Sequence, residues 1–255
     1  FLSIDARPTA FHAANQPFPP PTGRTPDPEN PQSFLQGYPI SLGIDVPYRF
    51  GLEAYSAIDP GHSSIRLHAG PLQIGATTAP QWWAPALRHP FIAGNHSAGL
   101  PRLFASTRRP IALPGRLGAL EGNWFYGWPE DTPYYRTDFP SIPLLTGLMF
   151  ALTTGRSATT TVGGTWSMQT TSIHRRLSWE QFRDVYYFVG RGFRANVDGN
   201  AVGNDDGKNM FSLFVRKRLP GIRAELYAEI LRDDAFYDLR DLAAEPNHST
   251  YYQVG

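Results

Sequence analysis

The sequence predicts an all-β protein built from antiparallel strands, and three observations carry that prediction. Glycine and proline number 24 each in 255 residues, so few long segments escape both, which disfavours a helical bundle. Short runs alternate apolar and polar residues with a period of two. The Pro-Gly dipeptides at Pro114-Gly115 and Pro220-Gly221 fall between such runs, where a tight turn is needed.

Taken in order, Phe1 to Ala14 reads as one strand or two short ones. Residues 17–61 read as a single long irregular insertion, because Pro17, Pro19, Pro20, Pro21, Pro26, Pro28 and Pro31 cannot hold a ladder. Ser64 to Thr78 resumes alternation. Ile65, Leu67 and Ala69 share a face, and Leu72, Ile74 and Ala76 follow after a break at Gly70-Pro71. Gln81 to Pro101 is a long aromatic connection, and loops of that length and composition are rarely only connectors. Leu103 to Leu113 and Arg116 to Gly127 are strand-like, as are Ile142 to Thr154 and Ala158 to Thr171, the last with Val162, Trp166 and Met168 on one face. Ser178-Trp179-Glu180-Gln181 fits a capping box, so a short helix or a plain turn starts there. Val185 to Val197 is strand-like again.

Asn209 to Leu219 and Ile222 to Arg232 form the clearest hairpin. As a strand, the second arm puts Ile222, Ala224, Leu226, Ala228 and Ile230 on one face, opposite Arg223, Glu225, Tyr227, Glu229 and Leu231. A helix is the competing reading, since Ile222, Leu226 and Ile230 are four apart. The tight turn and the β-rich partner favour the strand. An apolar face opposite a charged one is what a barrel with a polar lumen requires.

Composition excludes several classes. There is no cysteine, hence no disulfide framework and no thiolate metal or redox site. The net charge of +1 gives no global field for nucleic acid, so no nucleic-acid partner is expected. No run of roughly 18 apolar residues exists, so no transmembrane helix is expected. A transmembrane strand needs only about 9–11 residues with one apolar face, and the mean hydropathy of −0.33 suits a soluble β protein or a polar-lumen barrel alike. Both ends fall within strand-like runs, Phe1 to Ile4 and Tyr251 to Gly255, which reads as an internal piece of a longer protein.

Candidate chemistry gathers in two places. In the aromatic connection, Trp82 and Trp83 offer indole faces that stack on sugar rings, and such residues also suit a plug or an interfacial girdle. Arg88, Asn95 and His96 lie in the same loop and suit sugar hydroxyls or carboxylates, or else tie down the loop's own backbone. The second place is the acidic run Glu225, Glu229, Asp233, Asp234, Asp238, Asp241 and Glu245, interleaved with Arg223, Arg232 and Arg240. Paired carboxylates serve glycoside hydrolysis, but alternating charges also line polar lumens without catalysis.

Other motifs are weaker. Asp198 to Gly207 departs from an EF-hand loop, with Val202 at a ligand position and no closing Glu. Gly190 to Ala195 matches Gly-x-Gly-x-x-Ala inside a strand-like run, without the helix a dinucleotide site needs. The histidines show no metal spacing. No metal, cofactor or catalytic residue is expected.

Three blocks together carry a family resemblance. The first is Asp59-Pro60-Gly61-His62-Ser63-Ser64 leading into a strand. The second is the Trp82-Trp83 loop, continuing to Phe104 and Arg109-Pro110. The third runs from Leu219-Pro220-Gly221 through Glu225, Tyr227, Glu229 and Asp233-Asp234 to Asp238-Leu239-Arg240-Asp241 and Glu245-Pro246-Asn247-His248-Ser249. In order and spacing, from about Ile4 to the end, they resemble capsule assembly proteins of the Wzi type. Ala84 stands where that family has Gly after Trp-Trp, and Asn95-His96 where it has paired Asn.

The resemblance implies an antiparallel outer-membrane β-barrel, on the order of 18 strands when complete. On that basis residues 1–255 are one incomplete barrel domain, with about ten strand-like segments, too few to close alone. The implied role is non-catalytic binding of capsular or other exported polysaccharide during capsule assembly or attachment. The implied setting is the outer membrane of a Gram-negative cell envelope, with outer-membrane lipid around a monomer. The binding residues so implied are Trp82, Trp83, Arg88, Asn95, His96, Arg223, Glu225, Tyr227, Glu229, Asp233 and Arg240. A porin-like channel for small solutes and an exported glycoside hydrolase are the alternatives.

Overall fold

A computed structural model describes residues 1–14, 54–83, 85–86, 88–94, 99–115, 117–129, 142–154, 158–172, 208–233, 244, 247 and 249–255. These hold 13 strands: β1 Leu2–Asp5, β2 Thr9–Ala13, β3 Tyr55–Asp59, β4 Ser64–Ala69, β5 Leu72–Thr77, β6 Arg102–Thr107, β7 Ile111–Ala112, β8 Ala119–Gly127, β9 Ile142–Thr154, β10 Thr160–Ser172, β11 Lys208–Leu219, β12 Ala224–Asp233 and β13 Thr250–Val254. The protein is all-β and antiparallel. One sheet runs β1-β4-β5-β6-β8-β9-β10-β11-β12-β13, with β7 beside β8, and β2 pairs β3 separately. The large sheet is open along this path, ending at β1 and β13. No closed barrel forms among the described residues.

The connections differ at the two ends of this sheet. At one end β4 turns into β5 through Gly70 and Pro71, and β11 turns into β12 through a 3-10 turn at Pro220–Ile222. The β9 to β10 connection, residues 155–159, is also brief. At the opposite end the connections are residues 78–101, 128–141, 173–207 and 234–249. Strand length peaks at the middle of the sheet and falls toward β13, which has 5 residues. The strands β4, β5 and β6 have 6 residues each, β8 has 9, β12 has 10, β11 has 12, and β9 and β10 have 13.

The two faces have opposite chemistry, and the outward one is apolar. Paired residues of an antiparallel ladder share a face, so the register assigns each side chain. One row reads Leu120, Leu152, Val162, Val215, Ala228, Val254 across six strands. The next reads Gly122, Phe150, Gly164, Leu213, Ile230, Tyr252. Ile65, Leu67, Leu72, Ile74, Phe150, Leu213, Leu226 and Ile230 on this face are 41–55% exposed. Toward the long-connection end, Trp124, Leu148, Trp166 and Phe211 form a further row.

The other face is largely polar and partly buried. Ser64, Thr77, Arg102, Ser106, Thr165, Ser167, Ser212 and Glu229 all lie on it, each at most 9% exposed. A water-soluble sheet puts its apolar side inward; here that order is reversed.

Two expectations need correction. Residues 17–61 do not stay irregular throughout, because Tyr55–Asp59 is β3. It pairs with β2 from Thr9↔Asp59 to Ala13↔Tyr55, with Phe11 edge-on to Tyr55 at 5.8 Å. Its partner lies more than forty residues back, which no local pattern reveals. The second arm of the clearest hairpin starts at Ala224 rather than Ile222. Ile222 ends the 3-10 turn, and Arg223 sits in the left-handed region with φ 53°. Arg223 therefore belongs to the turn and not to the charged strand face. Along β12 Leu226 and Ile230 are exposed while Glu229 and Leu231 are buried, as the alternation predicts, but Arg232 on the Leu226 face is buried too. Expectations for Ser178 to Gln181, Val185 to Val197 and Asp198 to Gly207 lie outside the described residues.

The Asp59 to Ser64 block is a turn device. The Gly61 N–H donates to Asp59 Oδ1 at 2.5 Å, and the Ser63 hydroxyl donates to the Pro60 carbonyl at 2.5 Å. Gly61 has φ 60° and bridges Arg7, and a Cβ there would lie 2.0 Å from the Arg7 carbonyl oxygen. Only glycine meets both conditions.

Candidate functional site

The aromatic connection lies against the polar face, fixed there by side chains that read as unremarkable in sequence. Gln81 Nε2 donates to Asn123 Oδ1 on β8 at 2.8 Å. Trp83 is 2% exposed and packs with Phe104 and Phe125, its ring 5.2 Å from that of Phe125. Gly147 makes this seat possible, because a Cβ there would fall 2.7 Å from the Trp83 ring. Ile92, Ala93, Leu145 and Met149 pack around the cluster.

The connection closes on itself. The Trp83 N–H donates to the Ala93 carbonyl at 2.9 Å. Arg102, 8% exposed, donates through Nη1 to the Ala79 carbonyl at 2.6 Å and to the Leu100 carbonyl at 3.5 Å. Gly99 lies so close to Thr78 that a Cβ would be 1.9 Å from its carbonyl oxygen. The two stems thus touch, as in an Ω-loop, and one guanidinium staples both. Farther along, the Phe91 ring lies 6.4 Å from Tyr251 on β13. The connection therefore touches strands near both ends of the β6 to β13 half of the sheet.

This geometry separates the two tryptophans. Trp83 is an anchor with no open ring face, whereas Trp82 is 40% exposed. Arg88 is exposed in the same loop. Asn95 and His96 lie outside the described residues.

The acidic strand presents its carboxylates to the same polar face. Glu229, 3% exposed, accepts from Ser212 Oγ at 2.6 Å and from Gln253 Nε2 at 2.5 Å. Ser212 spends its only proton on Glu229, so the Thr165 hydroxyl, 2.6 Å away, donates to Ser212. A hydrogen-bond chain therefore crosses β10, β11, β12 and β13, satisfying a buried carboxylate by polar neighbours instead of a countercharge. Ser212→Ala is expected to lower stability by about 1–3 kcal/mol, since Glu229 loses a donor while buried. A lower urea midpoint for the refolded protein checks this.

The rest of the strand is occupied in other ways. Glu225 pairs with Arg216 Nε at 3.3 Å. Tyr227 exchanges backbone hydrogen bonds with Gly255, and its ring covers that glycine. Asp233 pairs in register with Met210 at the long-connection end. Arg223 is exposed at the opposite end, in the turn. The structure thus gathers Glu225, Tyr227, Glu229 and Asp233 on one strand face, and holds Arg223 apart. Arg240 lies outside the described residues.

Sequence reasoning missed Gln81, Arg102, Gly147, Thr165, Ser212 and Gln253. Arg102 had one usable signal, a lone Arg at the first position of a strand leaving a long loop. The Thr, Ser and Gln residues had none, because their roles depend on partners in other strands. Among the described residues, no group of three or more His, Cys, Asp or Glu could hold a metal ion. Comparison with protein families, with curated proteins and with solved structures finds no match to this chain.

Proposed function

We propose that this chain is part of an outer-membrane β-barrel wall that binds exported polysaccharide on its polar side, without catalysis. One observation carries the reading: the large sheet exposes its apolar face and buries serine, threonine, arginine and glutamate on the other. Lipid outside and a polar lumen inside is the environment in which that polarity is favourable. Strands of 9 to 13 residues from β8 to β12 suit a tilted membrane crossing. The half-buried Trp124 near one end suits an interfacial girdle. Brief turns at one end and long connections at the other match barrel architecture.

The polysaccharide part rests on the stapled aromatic connection with Trp82 exposed, on the carboxylate-bearing polar face, and on the resemblance to Wzi-type capsule assembly proteins. A hydrolase is disfavoured by spacing. Glu225 and Glu229 lie four residues apart on one strand face, about 13 Å along it, beyond the roughly 5–10 Å used by glycosidase carboxyl pairs. Both are also engaged, by Arg216 and by Ser212 with Gln253.

The test uses the full-length protein expressed with its own signal peptide. Expected results are recovery in outer-membrane fractions, faster gel migration before heating than after, and co-sedimentation with the producing cell's surface polysaccharide. Trp82→Ala should weaken that binding several-fold, through loss of one stacking face. A soluble periplasmic product without a heat shift would overturn the barrel. Bilayer conductance that polysaccharide does not alter would favour a porin.

A further inference from the structure

The polar face is divided by charge, and one half has no described ligand. Strands β4, β5 and β6 contain no acidic residue, yet this half carries Arg66, His68 and Arg102. Arg102 is committed to the stems of the aromatic connection. The other two face the short-turn end, with Arg108 just beyond β6.

Arg108 and His68 meet on one aromatic ring. Arg108 reaches over the sheet, its guanidinium 5.0 Å from the centre of the Phe1 ring. Phe1 in turn stacks on His68 at 4.4 Å. Ser3 Oγ holds His68 Nε2 at 2.8 Å, while the buried Nδ1 has no hydrogen-bond partner among the described residues. Arg66 lies two residues from His68 on the same face, with Gly75 opposite, so no side chain from β5 crowds it. Gln73 and Ser106, hydrogen-bonded to each other at 3.0 Å, complete a polar floor.

Two acidic side chains lie on this face of neighbouring strands. Asp5 on β1 pairs with Arg7 at 3.0 Å. Glu121 on β8 lies on this face just past the last β6–β8 pair, Ser106↔Asn123, and forms no ion pair within 4 Å among the described residues. The acids of β12 lie seven strand spacings from β4, about 34 Å along the sheet, well beyond the ~8 Å screening length at physiological salt.

We propose that Arg66, His68 and Arg108 form a second subsite, near the short-turn end, that takes an anionic group of a sugar chain. Two guanidinium forks suit a uronate carboxylate or a phosphodiester oxygen pair, and His68, held by Ser3 and stacked on Phe1, positions the ring that Arg108 rests on. The proposal rests on the polysaccharide reading above, and names the charge class of the ligand. An acidic chain would run from Trp82 at the long-connection end to this patch at the other.

The experiment measures binding of a polyuronate, a sugar-phosphate polymer and a neutral glucan to the full-length protein in detergent micelles. The parent should bind at least one charged polymer, more weakly as salt rises. R66Q/R108Q should bind that polymer about tenfold or more weakly, with neutral glucan unaffected and the heat-dependent gel shift retained. R66K/R108K, which keeps charge but not the forks, should bind that polymer more tightly than R66Q/R108Q but clearly more weakly than the parent. The charged polymer affected identifies carboxylate or phosphate as the ligand group. Parent binding that R66Q/R108Q leaves unchanged would overturn the subsite alone. Absence of charged-polymer binding by the parent would overturn both the subsite and the polysaccharide reading.

Discussion

Leu213→Arg is expected to destabilise the protein in a lipid bilayer by about 2–4 kcal/mol, and hardly at all if the sheet faces water. Leu213 lies mid-strand in the row Gly122, Phe150, Gly164, Leu213, Ile230, Tyr252, and is 47% exposed. In water a half-exposed leucine on a sheet surface accepts a charge within about 0.5 kcal/mol. In lipid the guanidinium must shed its hydration or deform the bilayer. Urea unfolding from liposomes, compared with Leu213→Ala, separates these cases. Lys217 is the internal control: it is on the same face but near the turn, where its ammonium donates to Thr159 and Thr160. Lys217→Arg should change little. A Leu213→Arg protein as stable as its parent would remove the lipid-facing assignment of the apolar face.

Trp83→Ala is the second large effect, at about 3–5 kcal/mol. The indole is 2% exposed between Phe104, Phe125 and the bare backbone of Gly147. Strand backbone cannot collapse into the space vacated, so a cavity remains. Its Nε1 has no hydrogen-bond partner among the described residues, so the contribution is packing. Trp83→Phe should therefore lose clearly less. Gly147→Val should mimic Trp83→Ala from the other side, by pushing the ring out. Limited proteolysis would report both, as new cleavage within residues 78–101 while the strands stay protected. Stability unchanged in Trp83→Ala would mean that the connection is not seated on the sheet.

What the sequence revealed follows from the range of the interactions. The hairpin β11–β12 was legible because alternation and turn chemistry are both local: Leu226 and Ile230 on one side, Glu225 and Glu229 on the other, with Pro220-Gly221 between arms. The same holds for β4–β5 around Gly70-Pro71 and for β9–β10. The strand β3 was hidden, because Tyr55–Asp59 gains its ladder from Thr9–Ala13 across a long insertion. The displacement of Arg223 into a positive-φ turn was hidden too, since Arg is a poor left-handed residue and nothing local forecasts it. The tryptophan pair was conspicuous, but which indole is buried depends on Gly147, more than sixty residues later. The Thr165, Ser212, Glu229, Gln253 chain spans four strands, so only its carboxylate stood out.

Chain order within the sheet has a consequence for assembly. Apart from β1 beside β4, neighbours along the main path follow one another in sequence, so the array can zip by successive hairpins with modest loop-closure entropy at each step. Residues 78–101 break this rhythm. They precede β8 and β9, the strands that seat them, and their contact with Tyr251 awaits β13. Docking of the connection must therefore come after most of the wall exists. Refolding kinetics should show it: tryptophan burial at Trp83 lagging the growth of β-sheet signal, in a phase that Gly147→Val abolishes.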